Sequence, residues 1–142
     1  MQRFTYPVTL TPDAKDGGFV VTCRDVPEVV TQGDSIEEAI NEAEGALEAA
    51  IEMRIEDGMD IPVPSAKKRG EQIAGLPIGT AMKAALYVSM QEQNISKAEL
   101  ARRLGLDEKE ARRMLDPKHG TKVPALERAL HALGKRVELV VV

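Results

Sequence analysis

The chain has one cysteine, two histidines, no tryptophan and no long apolar run, and each shortage closes off a class of protein. A single thiol, Cys23, cannot form an intrachain disulfide, so a cross-linked extracellular scaffold is excluded and the cytosol is the expected compartment. No segment approaches the ~18 apolar residues that a membrane span requires. The opening MQRFTYPVTL also lacks the apolar stretch of a signal peptide. His119 and His131 have no cysteine or carboxylate at ligand spacing, so neither a metal nor any cofactor is expected. Gly17-Gly18 belongs to a hairpin turn rather than to a phosphate-cradling loop. Asp13, Asp16 and Asp25 could suggest a carboxylate metal site of a nuclease, but turn chemistry accounts for Asp13 and Asp16. Cys23 lies in a strand pattern and reads as a buried, inert thiol.

What is present is a strong asymmetry of charge. Residues 1–80 hold 15 Asp plus Glu against 7 Lys plus Arg, whereas residues 81–142 hold 8 against 12. At 142 residues the chain can form one ordinary core or two small ones. The change of sign favours two, with a boundary at Pro77-Ile78-Gly79-Thr80, giving an acidic domain over 1–78 and a basic one over 79–142. The basic half suits a polyanion and the acidic half a cationic partner.

The basic half is organised around SKAELARRLGLDEKEARRML, Ser96 to Leu115. Ser96 with Glu99, and Asp107 with Glu110, have capping-box spacing, which announces two short helices separated by Gly105-Leu106. Leu100, Ala101, Leu104, Leu106, Ala111 and Met114 fall where two steeply crossing helices must be apolar. Gly105 sits where the first helix ends and a positive φ is favoured. The pattern is that of a DNA-binding helix-turn-helix, the alternative being a plain helical hairpin. Glu108, Lys109, Arg112 and Arg113 face away from the packed side of the second helix and are the candidates to read bases. Lys97, Lys118 and Lys122 are placed to meet phosphates. A helix capped by Thr80 and running to about Gln93 precedes the pair, a helix from Pro124 to about Leu133 follows it, and Arg136 to Val142 (RVELVVV) is strongly strand-forming. An apolar terminal strand needs a partner, which a symmetry mate in a homodimer or higher homo-oligomer can supply.

In the acidic half, Phe4 to Leu10 alternates with period two, the mark of a half-buried strand. Pro7 within it points to an edge position or the strand's solvent side. Phe19 to Arg24 completes a hairpin, and Val29 to Gln32 adds a third extended piece. Ser35 and Glu38 form another capping box, opening a helix to Glu56 with Ile36, Ala39, Ile40, Ala43, Leu47, Ala50, Ile51 and Ile55 on one stripe. Ile73 to Ile78 can add a last strand. The fold class is therefore α+β: β-β-β-α-β, then an all-α helix-turn-helix domain with a terminal β-strand.

These residues resemble the HicB antitoxins of bacterial HicA-HicB toxin-antitoxin pairs, nearly end to end. In the first half the resemblance rests on Gly18-Phe19, Asp25-Val26-Pro27, Thr31-Gln32-Gly33-Asp34 before Ile36-Glu37-Glu38-Ala39, and Ile61-Pro62 followed by Pro64-Ser65. In the second it rests on Lys83-Ala84-Ala85-Leu86-Tyr87, Ser96 to Gly105, Arg113 to Pro117, His119, and Leu126 to Arg136. It implies a reduced ribonuclease-H-like N-terminal domain that blocks a small HicA-type toxin ribonuclease, with Asp25 and Pro27 as toxin contacts. It also implies a C-terminal domain that represses the operon's own promoter. Glu28-Val29 departs from the pattern, standing where the family often has Gly followed by an aromatic residue or Cys. The expectation is a non-enzymatic antitoxin and autorepressor. The alternative is a stand-alone repressor whose N-terminal domain senses a ligand or only dimerises, and a third reading is a metal-dependent nuclease using Asp25.

Overall fold

The structure, a computed structural model, describes residues 3–142. Its elements run β1 (Thr5–Pro12), β2 (Phe19–Thr22), β3 (Val30–Gly33), α1 (Ile36–Glu56), β4 (Gln72–Gly75), α2 (Ile78–Gln93), α3 (Lys97–Leu104), α4 (Glu108–Leu115) and α5 (Val123–Ala132). The fold is α+β. Contacts divide it into two compact units, one running to Arg54 and resuming over Ile61–Pro77, the other made of Ile55–Asp60 and Ile78–Val142.

The first unit is an antiparallel four-stranded sheet in the order β3-β2-β1-β4. Between β1 and β2 the turn is closed by Asp13, whose Oδ1 accepts from the backbone N–H of Lys15 and Asp16, while Gly17 and Gly18 take positive φ. Tyr6, Val8, Val21 and Ala74 share one sheet face by register and are fully buried, as are Ala39, Ala43, Leu47 and Ile51 on the apolar stripe of α1. Helix and sheet bury these faces together. Gly33 permits the approach: a Cβ there would stand 2.4 Å from the backbone nitrogen of Ala39.

Three expectations for this unit need correction. Pro7 is not on an edge strand, because β1 is central. It is tolerated because β1 pairs with β4 along Thr5–Val8 and with β2 only along Thr9–Pro12, leaving one side of Pro7 without a ladder. Ile36, in the first turn of α1, is half exposed rather than part of the buried stripe. The last strand is Gln72–Gly75, and Ile78 already belongs to a helix.

The second unit is a helical bundle whose core comprises Met82, Leu86 and Met90 of α2, Leu100 and Ala101 of α3, Ala111, Met114 and Leu115 of α4, and Leu126, Ala129 and Leu130 of α5. Leu104 and Leu106 pack against it, partly buried. α2 begins at Ile78, so Thr80 lies inside the helix and does not cap it. Arg136 to Val142, expected as a strand, has no ladder partner among the described residues and no regular secondary structure, with Leu139 to Val142 exposed. Strand geometry is fixed by a neighbour, and one chain does not provide it. Among the described residues no helix is long and apolar enough to cross a membrane.

Candidate nucleic-acid interface

Local chemistry builds the α3–α4 pair. Ser96, in extended backbone conformation, accepts from the N–H of Glu99 at 3.1 Å and so caps α3. Asp107 does the same for α4, accepting from the N–H of Glu110 at 2.9 Å. These bonds satisfy helix-start N–H groups that otherwise have no intrahelical partner. Gly105 takes φ +66°, and Leu106 N–H reaches back to the Ala101 carbonyl at 2.9 Å, closing α3 as the sequence requires. A Cβ at Gly105 would meet nothing, so backbone conformation rather than space selects glycine there.

On α4, Glu108, Lys109, Arg112 and Arg113 are all exposed, while Ala111, Met114 and Leu115 are buried. Glu108 and Arg112 form an i,i+4 ion pair at 3.0 Å, with both side chains at least half exposed. Lys97 opens α3 and borders an open cleft with Tyr87, Met90 and Ile95. Lys118 and Lys122 lie in the loop between α4 and α5. The Lys118 ammonium stands 3.6 Å from the Glu56 carboxylate, and Lys122 is the N-cap residue of α5 without a side-chain cap bond. All seven sequence candidates for DNA contact thus belong to the second unit and are solvent-accessible.

The structure adds residues that periodicity passed over. Arg102 and Arg103 of α3 both bind the Glu99 carboxylate, at 2.6 and 3.0 Å, and together hold its pKa down to about 2. Lys83, on the otherwise apolar Met82-to-Leu86 face of α2, is buried, and its ammonium donates to the carbonyls of Arg113, Asp116 and His119. Glu99-Arg103 and Glu108-Arg112 are legible as i,i+4 pairs. A cation inside an apolar helix was the signal for Lys83, but its partners lie about thirty residues away.

Asp25 and Pro27 belong to the first unit. Pro27 is exposed. Both oxygens of Asp25 accept from Ser65, Oδ1 from the hydroxyl at 2.6 Å and Oδ2 from the backbone N–H at 2.7 Å. Next to it, Arg24 makes a bidentate bond to Glu71 at 2.9 and 3.1 Å and donates to the Ala66 carbonyl at 2.7 Å. Arg24, and then the Lys68 N–H, hold the Glu71 carboxyl at about 2. Asp25 is therefore part of a clamp that fastens the segment around residues 65–71. Burial pushes the Cys23 thiol up, as expected of an inert cysteine. No group of three or more His, Cys, Asp or Glu with metal-binding geometry occurs among the described residues.

The pattern described as HicB_like antitoxin of bacterial toxin-antitoxin system matches residues 5–85. Antitoxin HicB of Escherichia coli (strain K12) is 39% identical over 137 residues, 96% of this chain and 99% of that protein. Antitoxin HicB 2 of Photorhabdus laumondii is 40% identical over 141 residues, 99% of both chains. Antitoxin HicB of Pseudomonas fluorescens is 37% identical over 124 residues, 87% and 85% of the two chains. With a family match over more than half its length and relatives aligned almost end to end, this chain belongs to the HicB-like antitoxin family of bacterial toxin-antitoxin systems.

Proposed function

We propose that the chain is a cytoplasmic, non-enzymatic antitoxin that binds and inhibits a HicA-type mRNA-cleaving toxin and represses its own operon. In this reading residues 1–78 neutralise the toxin, and residues 79–142 bind operator DNA as a homodimer or higher homo-oligomer. The observation that carries the DNA-binding half is the capped α3–α4 pair, which turns Lys109, Arg112 and Arg113 outward on one short helix. Self-association is supported by the exposed run Leu139 to Val142, a strand-forming segment that a second copy can pair. The acidic first half supports a basic, RNA-binding partner through charge complementarity. The non-enzymatic reading is supported by Asp25, whose carboxylate is committed to Ser65.

The test is to look for an adjacent reading frame encoding a small basic protein, co-express it with the chain, and titrate the chain against a duplex from its own promoter. Rescue of growth, loss of mRNA cleavage and preference for the promoter over a scrambled duplex are expected. Promoter binding without any copurifying toxin would favour a stand-alone repressor. Metal-dependent cleavage of RNA by the purified chain, abolished in Asp25→Asn, would establish a nuclease instead.

A further inference from the structure

The Lys83 ammonium lies buried, and its three N–H donors are matched by three carbonyls: Arg113 in the last turn of α4, Asp116 at its C-cap, and His119 in the following loop. The same carbonyls are nodes of the loop's own bonding. Asp116 accepts from the His119 N–H at 3.1 Å, His119 from the Thr121 N–H at 2.9 Å, and Arg113 from the Thr121 hydroxyl at 3.4 Å. A cation at a helix C-terminus is favoured by the helix dipole, and here it adds a second donor to carbonyls at the end of α4 and in the following loop. Burying an ammonium is a poor source of net stability, because desolvation offsets most of the attraction. What it supplies is one geometry: the end of α4 and the α4–α5 loop are both fixed to α2.

We infer that Lys83 is a positioning residue for DNA binding, holding Arg113 in the last turn of α4 and Lys118 in the loop after it where both can meet phosphates. This rests on the DNA-binding reading above. Without the ammonium, the three carbonyls lose their charged donor and their tie to α2, and the loop is free to re-form with them toward water. Arg112 lies in the same last turn, but its carbonyl is held by the Asp116 N–H at 3.0 Å rather than by Lys83, and its guanidinium by Glu108 at 3.0 Å, so it is less dependent on the ammonium. The loss should therefore fall on phosphate contacts, which set the salt dependence, more than on discrimination between sequences.

The experiment uses the full chain, with Lys83→Met (an unbranched stem one atom shorter, no donor) and Lys83→Gln (two donors, no charge), at a temperature well below unfolding. Each is titrated against the promoter duplex and a scrambled duplex at several salt concentrations, with helix content followed by circular dichroism. Expected is a folded Lys83→Met variant with promoter affinity reduced about tenfold or more. Its log K versus log salt slope should be shallower by about one per half-site, with Lys83→Gln intermediate. A wild-type slope with only a lower melting temperature would overturn the inference, leaving Lys83 as a holder of the fold. Failure of both variants to fold would overturn it in the same way. If wild type does not distinguish the promoter from the scrambled duplex, the DNA-binding reading itself fails, and the wild-type arm identifies that case.

Discussion

Arg112 and Arg113 are adjacent on α4, and neighbours on a helix point about 100° apart, so both cannot face the floor of a groove. Arg112 shares a face with Lys109, three residues earlier, and its guanidinium is drawn toward the helix start by Glu108 at 3.0 Å. That is the end of a recognition helix that meets base edges. Arg113 lies one step round, on the turn whose carbonyl Lys83 holds. The expected division is bases for Arg112 and phosphate for Arg113. Replacing Arg112 by Ala should leave the fold intact: its side chain is 63% exposed, and an ion pair that open contributes less than about 1 kcal/mol. Any shift in melting temperature should stay within about 4 °C. Promoter affinity should fall by about 1 to 3 kcal/mol per half-site, or roughly 5- to 150-fold. Affinity for scrambled DNA should change far less. Arg113→Ala should weaken both duplexes alike and flatten the salt slope by about one per half-site. Fluorescence anisotropy titrations of both variants on both duplexes, at several salt concentrations, read all of these quantities. Equal loss on the two duplexes for Arg112→Ala would show that this face of α4 does not read bases.

Gly33→Ala should unfold the first unit preferentially, because the new methyl would sit 2.4 Å from the Ala39 nitrogen and 2.6 Å from its Cα, both backbone atoms. A loss of about 3 kcal/mol or more is expected by chemical denaturation, and a wild-type midpoint would contradict the packing described. Ser89 Oγ is buried with no hydrogen-bond partner among the described residues, so Ser89→Ala should be neutral or stabilising by up to about 1 kcal/mol. A clear drop in melting temperature would reveal a partner for that hydroxyl. The Glu71 carboxyl titrates near 2 in the folded chain against about 4.5 when free, so the stability it contributes is present above about pH 4.5 and is lost as pH falls toward 2. Glu71→Gln should remove that part of the acid-side slope in denaturant midpoints measured across pH, and an unchanged slope would refute the assignment.

The sequence by itself determined the features whose causes are local. Ser96, Asp107 and Ser35 cap helices because a side-chain oxygen reaches an N–H three residues on, and Gly105 ends α3 because only backbone freedom is at stake. Asp13 closes its turn in the same way. The apolar spacing of α3, α4 and α5 likewise dictated which faces turn inward, since helical period alone sorts them. Nearly full-length resemblance to HicB antitoxins was legible too, being written in residues and their order. Other features were decided only when distant segments met. Pro7 is in a central strand because β4, sixty-five residues later, pairs with its half of β1. Asp25 serves Ser65, forty residues on, and so is a clamp before it can be a toxin contact. Lys83 stands in an apolar helix with no partner near it in sequence, and only the end of α4 brings three carbonyls to it. Arg136 to Val142 shows the converse: strand propensity is local, but a strand needs a neighbour's backbone, and a single chain leaves this one unpaired.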